Sequence, residues 1–203
     1  MSAIEARRAG ERAVLLELAD NTAAVRVARR LSADCPELAD VVPGHCTVLT
    51  IWAAESQRER VLDLAEAALR DDDAAVVAET HAIPVCYDGV DLHEVAELTG
   101  LSPEEVAARH QQSDYVVGFL GFTPGFGYLL GGDERLHVPR RAEPRVRVPA
   151  GTVALGGGYS GVYPRESPGG WQLIGSTTAA LFDPARRPPA LLSAGDRVRF
   201  VRA

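Results

Sequence analysis

After residue 113 the chain shows no helical periodicity. The stretches "YVVGFL", "RVRVP", "TVAL", "GVYP", "WQLIG" and "DRVRFV" are short strand candidates separated by glycine and proline turns. So many short strands within about ninety residues leave a sheet few ways to protect its edges, and closure into a β-barrel is the economical one.

The region before it reads differently. "AVLLEL" (13–18) suits a buried strand, and "TAAVRVARRL" (22–31) has helical composition. "ELADVV" (37–42) and "CTVLTIW" (46–52) are strand candidates that can pair across the Pro43-Gly44 turn. "SQRERVLDLAEAAL" (56–69) opens with Ser56 and Glu59 in capping-box spacing and sets Val61, Leu64, Ala65, Ala68 and Leu69 on one helical face. "AAVVAETHAIPVCY" (74–87) returns to strand character. The resulting order, βαββαβ, predicts a small ferredoxin-like sandwich closing near residue 80. The expected fold is therefore α+β, with a sandwich over 1–80 and a barrel domain over 81–203 that begins with two helices.

Those two helices lie in "VDLHEVAELTGLSPEEVAARHQQ" (90–112) and are separated by Gly100. Asp91 with Glu94, and Ser102 with Pro103 and Glu105, mark their starts. The pair imitates a DNA-binding helix-turn-helix, but the second helix would present Ser102, Pro103, Glu104 and Glu105 to the nucleic acid. The chain also carries a net charge of −7, which repels phosphate backbones, so nucleic acid is not an expected partner. Residues 1–12 are charged and lack the apolar run of a signal peptide, and no window has the apolar length of a membrane span. No membrane association is expected, and the expected compartment is the cytoplasm. Cys35, Cys46 and Cys86 stand apart and odd in number, without the spacing of a disulfide framework or zinc site. His45, His81, His93, His110 and His137 are equally scattered, so no metal is expected.

"GFLGFTPGFGYLLGG" (118–132) packs six glycines and a proline among aromatic and aliphatic residues. A phosphate loop would need a lysine and a helix after it, and this stretch runs instead into "YLLGG", another strand-like piece and turn. Its glycines and Pro124 read as tight turns. "PRRAEPRVRVPAG" (139–151) concentrates Arg140, Arg141, Arg145 and Arg147, and strand alternation sends Arg145 and Arg147 to one side. "GGGYSGVYPRESPGGWQLIG" (156–175) repeats the glycine-aromatic grammar with Tyr159, Tyr163 and Trp171. Aromatic walls beside arginines predict a pocket for a polar small molecule.

Three stretches, "ARHQQSDYVVGFLGFTPGFGYL", "PRRAEPRVRVPAGTVAL" and "YPRESPGGWQLIG", resemble the successive motifs of the family that takes in the B-type subunit of 5-oxoprolinase, allophanate hydrolase subunit 1 and the Kip-type sporulation-kinase inhibitors. The likeness runs from about Ile83 to Val201. It implies a ferredoxin-like first domain, a cyclophilin-like barrel second, and one half (C and D) of a carboxyltransferase domain. It further implies two partners in 5-oxoprolinase, a homologous C-type barrel and an A-type protein of the LamB/YcsF kind. The implied reaction is ATP-dependent opening of 5-oxo-L-proline, a lactam, to L-glutamate. ATP, with magnesium, would then belong to the complex, with no metal or biotin held by this chain and no activity in the chain alone. The resemblance equally admits a carboxyltransferase or allophanate hydrolase component of urea metabolism, or a histidine-kinase inhibitor.

Arg140 and Arg147 are the candidate anion contacts, because guanidinium groups bind carboxylate or phosphate bidentately. His110 is a candidate general base or partner-facing residue. Tyr128, Tyr163, Phe122, Phe126 and Trp171 are expected to shape the pocket, with Gly121, Pro124, Gly125 and Gly127 setting its backbone. Family members often carry Gln-Thr where this chain has Tyr159-Ser160, which exchanges an amide for a phenol.

Overall fold

The structure is a computed structural model that describes residues 4–52, 57–71 and 78–203. The chain divides into two compact units, Met1–Val77 and Ala78–Ala203.

In the first unit the described elements are β1 (Glu5–Arg8), β2 (Ala13–Glu17), α1 (Asn21–Asp34), β3 (Asp40–Pro43), β4 (Thr47–Ile51) and α2 (Gln57–Arg70). They build one antiparallel sheet in the order β1-β2-β4-β3. Strand alternation turns Val14, Leu16 and Val48 to one face, where they pack with Ala24, Val27, Leu31, Val61 and Ala65 of the two helices. The Asp20 carboxylate caps α1 by accepting from the Ala23 N–H at 2.8 Å. The β3–β4 hairpin turns at Gly44, as its sequence predicts, with the Gly44 N–H donating to the Thr47 carbonyl at 2.7 Å.

The order βαββαβ is not what the described residues form. Thr80–Val85 is a strand, but it pairs in parallel with a strand of the second unit, and residues 74–77 and Ser56 lie outside the described residues. The edge place beside β2 is filled instead by β1, from the start of the same unit. Its sequence, "EARR", has no apolar alternation to announce a strand, because an edge strand needs few buried side chains.

The second unit contains β5 (Thr80–Val85), α3 (Leu92–Thr99), α4 (Pro103–Gln112), β6 (Tyr115–Leu120), β7 (Gly127–Leu130), a 3-10 turn (Glu134–Leu136), β8 (Arg145–Val148), β9 (Thr152–Gly156), β10 (Tyr159–Val162), β11 (Ser167–Gly169), β12 (Gln172–Ser176) and β13 (Arg197–Arg202). Seven strands form one sheet in the order β12-β9-β10-β7-β6-β13-β5. Its two ends meet where Cys86 and Ser176 exchange backbone hydrogen bonds of 2.9 and 2.8 Å, so the sheet is a nearly closed barrel. Ile83, Val117, Leu129, Leu155, Val162, Ile174 and Phe200, one from each strand of the sheet, fill the interior. Val95, Ala96 and Val106 of α3 and α4 pack into the same core.

Helix α4 begins with the predicted capping box, Ser102 and Glu105 each bonding the other's backbone N–H. Asp91 stands at the start of α3, yet its side chain caps nothing there. It is buried, accepts from the Leu173 N–H at 2.7 Å, takes a bidentate pair from Arg145 at 2.6 and 2.9 Å, and is also reached by Arg141. Two guanidinium groups and a strand amide offer a buried carboxylate more than helix N–H groups do.

Candidate functional site

Alternation along the barrel wall creates two chemically distinct faces. On β10, Tyr159 and Gly161 point one way and Ser160 and Val162 the other. The outer side carries a second apolar cluster of Phe126, Val148, Ala154, Tyr163, Trp171 and Leu173, in which Val148 comes from the separate β8–β11 ribbon. Around it stand Phe119, Phe122, Tyr128 and Tyr159, giving seven aromatic rings in continuous contact. Phe126 is the hub: its centroid lies 5.1–5.5 Å from those of Tyr128, Tyr163, Trp171 and Phe122, all edge to face.

The glycines of this region make room for these rings. A Cβ on Gly156 would lie 2.7 Å from the Trp171 ring, one on Gly161 would sit 3.0 Å from Phe126, and one on Gly169 would lie 2.2 Å from the Tyr163 oxygen. The glycine-aromatic grammar of the sequence is thus steric: bare backbone lets the rings lie against the sheet. Phe122 is different. It holds φ 63°, a backbone region that favours glycine, and the residue remains 58% exposed at the rim. Gly125 turns with φ 84°, against Phe182 and Leu181.

The guanidinium of Arg140 lies 5.7 Å from the centre of the Trp171 ring, a cation-π contact, with no carboxylate in ion-pair range among the described residues. The other arginines of the motif are engaged. Arg141 and Arg145 hold Asp91, with Glu94 also bound to Arg141, and Arg147 pairs with Glu166 on the exposed ribbon. Arg145 and Arg147 therefore do not combine into an anion site, since each guanidinium meets its own acid. Burial raises the Tyr163 phenol pKa, with Arg140 among the smaller effects opposing it.

His110 lies on the opposite side of this wall. It is fully buried, with Nδ1 2.9 Å from the Tyr87 hydroxyl, Nε2 2.8 Å from Ser160 Oγ, and its ring stacked on Phe200 at 4.3 Å. Burial pulls its pKa down to about 3, so it is neutral at physiological pH, and burial raises the Tyr87 phenol. Phe122, Phe126, Tyr128, Tyr163 and Trp171 thus come together as one face, flanked by Arg140. Gly121 packs beneath Tyr128 and Pro124 is exposed on the loop that carries Phe122. His110 and Arg147 do not join that face.

Sequence reasoning missed Phe119 as a member of the face and Ser160 as the partner of His110, whereas Tyr159, expected in the aromatic wall with Tyr163 and Trp171, does lie among the rings. The period-2 pattern of "YSGVY" carries the last two: it sends both tyrosines outward and the serine in. Asp91 was legible only as a cap. Among the described residues no three His, Cys, Asp or Glu side chains are grouped to hold a metal ion, and no helix is long and apolar enough to cross a membrane.

Comparison with known proteins agrees with this architecture. The family described as carboxyltransferase domain, subdomain C and D, matches residues 4–192. The 5-oxoprolinase B subunit of Escherichia coli O157:H7 is 46% identical over 205 residues, covering 95% of this chain and 93% of that protein. Its counterpart in Bacillus subtilis strain 168 is 50% identical over 147 residues, 71% of this chain and 59% of that one. Among solved structures, TTHA0988 superposes with a TM-score of 0.83 at 40% identity over 95% of this chain, which spans 40% of the TTHA0988 chain. The Kluyveromyces lactis urea carboxylase shares the fold at 20% identity and a TM-score of 0.72, with this chain spanning 22% of its length. With the match extending over both units, the chain belongs to the carboxyltransferase-domain family of subdomains C and D.

Proposed function

We propose that this protein is one component of an ATP-dependent 5-oxoprolinase and that its outer aromatic face forms half of a substrate site. The observation that carries the assignment is the 46% identity, over nearly the full length of both chains, to a protein named as the B subunit of 5-oxoprolinase. The face supports it chemically. Phe119, Tyr128 and Tyr159 are partly exposed and offer a small ring apolar contact, while Arg140 offers a carboxylate a bidentate partner. 5-Oxoproline has that pair of features, a five-membered ring and a carboxylate. In this reading Arg140 orients the substrate, Trp171 fixes Arg140, and Phe122, Phe126, Tyr128 and Tyr163 form the wall set by Gly121, Pro124 and Gly125. His110 acts from within the wall as a structural group, and Arg147 belongs to the ribbon.

A lactam is a poor electrophile because its nitrogen donates into the carbonyl. Phosphorylation of the amide oxygen makes attack by water feasible, and the reaction needs a second surface to supply the phosphoryl group. The residues of this face do not fit a nucleoside triphosphate. The chain has no lysine, the glycine loop leads into β7 rather than a helix, and the cation of this face left without an acid among the described residues falls short of a triphosphate's charge. The nucleotide and its magnesium are therefore assigned to the partner proteins, a homologous C-type barrel and an A-type protein of the LamB/YcsF kind, in a heteromer of the cytoplasm that is inactive without them.

Coexpression with the C-type and A-type proteins, followed by measurement of glutamate and phosphate from 5-oxoproline and ATP, tests the proposal. The expected result is turnover by the complete assembly alone. Turnover that persists when this chain is omitted would refute it.

A further inference from the structure

A narrow slot opens between the 3-10 turn and β10, lined by Tyr115, Asp133, His137, Leu155, Gly158 and Ser160 among others. The space it leaves for a water-sized sphere is about 10 Å³, close to the room one water molecule requires. Two buried hydroxyl-bearing residues line it. Tyr115 is 1% exposed, and among the described residues its oxygen meets no partner in full hydrogen-bond geometry, although the Ser113 side chain is close enough to act on the phenol. Ser160 is equally buried and binds His110.

The direction of each bond around Ser160 is limited by what its neighbours can do. The Ala154 carbonyl, 3.4 Å from Ser160 Oγ, only accepts, so the serine hydroxyl donates to it. With the serine donating there, Ser160 Oγ accepts from His110 Nε2–H and Nδ1 accepts from the Tyr87 hydroxyl; in the other tautomer both bonds reverse, and Ser160 Oγ still has a lone pair to offer. Either tautomer is neutral, as the buried ring requires. Ser160 Oγ keeps one lone pair, and the Tyr115 hydroxyl keeps its proton. Residues bearing a donor and an acceptor thus line a slot of one-water size.

We propose that the slot is a binding site for a single water molecule, which accepts from Tyr115 and donates to Ser160. The water completes a chain from Tyr87 through His110 and Ser160 to Tyr115, and this chain fixes β10 from inside the barrel. Tyr159, the next residue on that strand, faces outward into the aromatic group, so the water-completed chain holds the inner side of the strand that carries it.

High-resolution crystal structures of the chain and of its Tyr115→Phe variant test the inference. The expected result is a density peak within hydrogen-bond distance of both hydroxyls in the parent and a lost or displaced peak in the variant. A dry slot, or a Tyr115 hydroxyl turned onto Ser113, would overturn it. Thermal unfolding gives an independent reading, because Phe is nearly isosteric with Tyr and folding is retained. Loss of a bonded hydroxyl lowers Tm by about 2–4 °C, whereas loss of an unbonded one leaves Tm unchanged or raises it, which also contradicts the proposal.

Discussion

The two sides of the barrel wall use the same strands for opposite purposes. Inside, every strand contributes aliphatic or aromatic bulk, and the buried histidine is neutral and bonded at both nitrogens. Outside, glycines 156, 161 and 169 remove side chains so that rings can lie on the sheet, and a cation without an acid among the described residues stands at their edge. A polar group with its bonds satisfied holds structure; one left unpaired beside an exposed apolar surface is available to a ligand. The contrast supports the outer face as the proposed working surface.

The firmest way to break this contrast is through the anchor beneath it. Asp91→Ala leaves Arg141, Arg145 and the Leu173 N–H without their carboxylate and is expected to cost about 3–5 kcal/mol, measured by urea denaturation of the purified chain. Stability within error of the parent would mean the network is ornamental. Gly156→Ala comes next. It drives a methyl into Trp171, so a loss of about 1–3 kcal/mol is expected together with a changed near-UV circular dichroism signal.

The interior makes a prediction about pH. The His110 pKa in the folded chain lies below its unfolded value of about 6.5. Between the two the unfolded state binds more protons, so stability is complete above about pH 6.5 and falls as the pH drops toward 3, by up to about 1.4 kcal/mol per pH unit. His110→Phe should lose that component of the acid dependence; equal pH profiles for parent and variant would show that His110 does not titrate as described. The smallest effect is expected at Arg147→Ala, which breaks an exposed ion pair and should change stability by less than about 1 kcal/mol.

How much of this was legible depended on which physical signal each element carries. The barrel and helix α4 were readable because strand length, turn residues and a capping box are local properties. Strand β1 was not, since edge pairing leaves little apolar pattern in "EARR". The aromatic members of the face stood out as a compositional run. Arg140, Arg141, Arg145 and Arg147 looked alike in sequence, and only the positions of Asp91, Glu94 and Glu166 decide which guanidinium remains unpaired. Those acids lie up to 54 residues away along the chain, beyond any local pattern.

The claim that the outer face works on substrate is tested most directly by Arg140→Gln in the assembled enzyme. Arg140 has no acidic partner among the described residues to lose and gives up only its cation-π contact with Trp171, so the variant chain should unfold within about 1 kcal/mol of the parent. Its assembly should open 5-oxoproline with kcat/KM reduced at least about tenfold, the loss of a charge-assisted carboxylate contact. An assembly that turns over 5-oxoproline at the parental kcat/KM with Arg140 replaced would contradict the account.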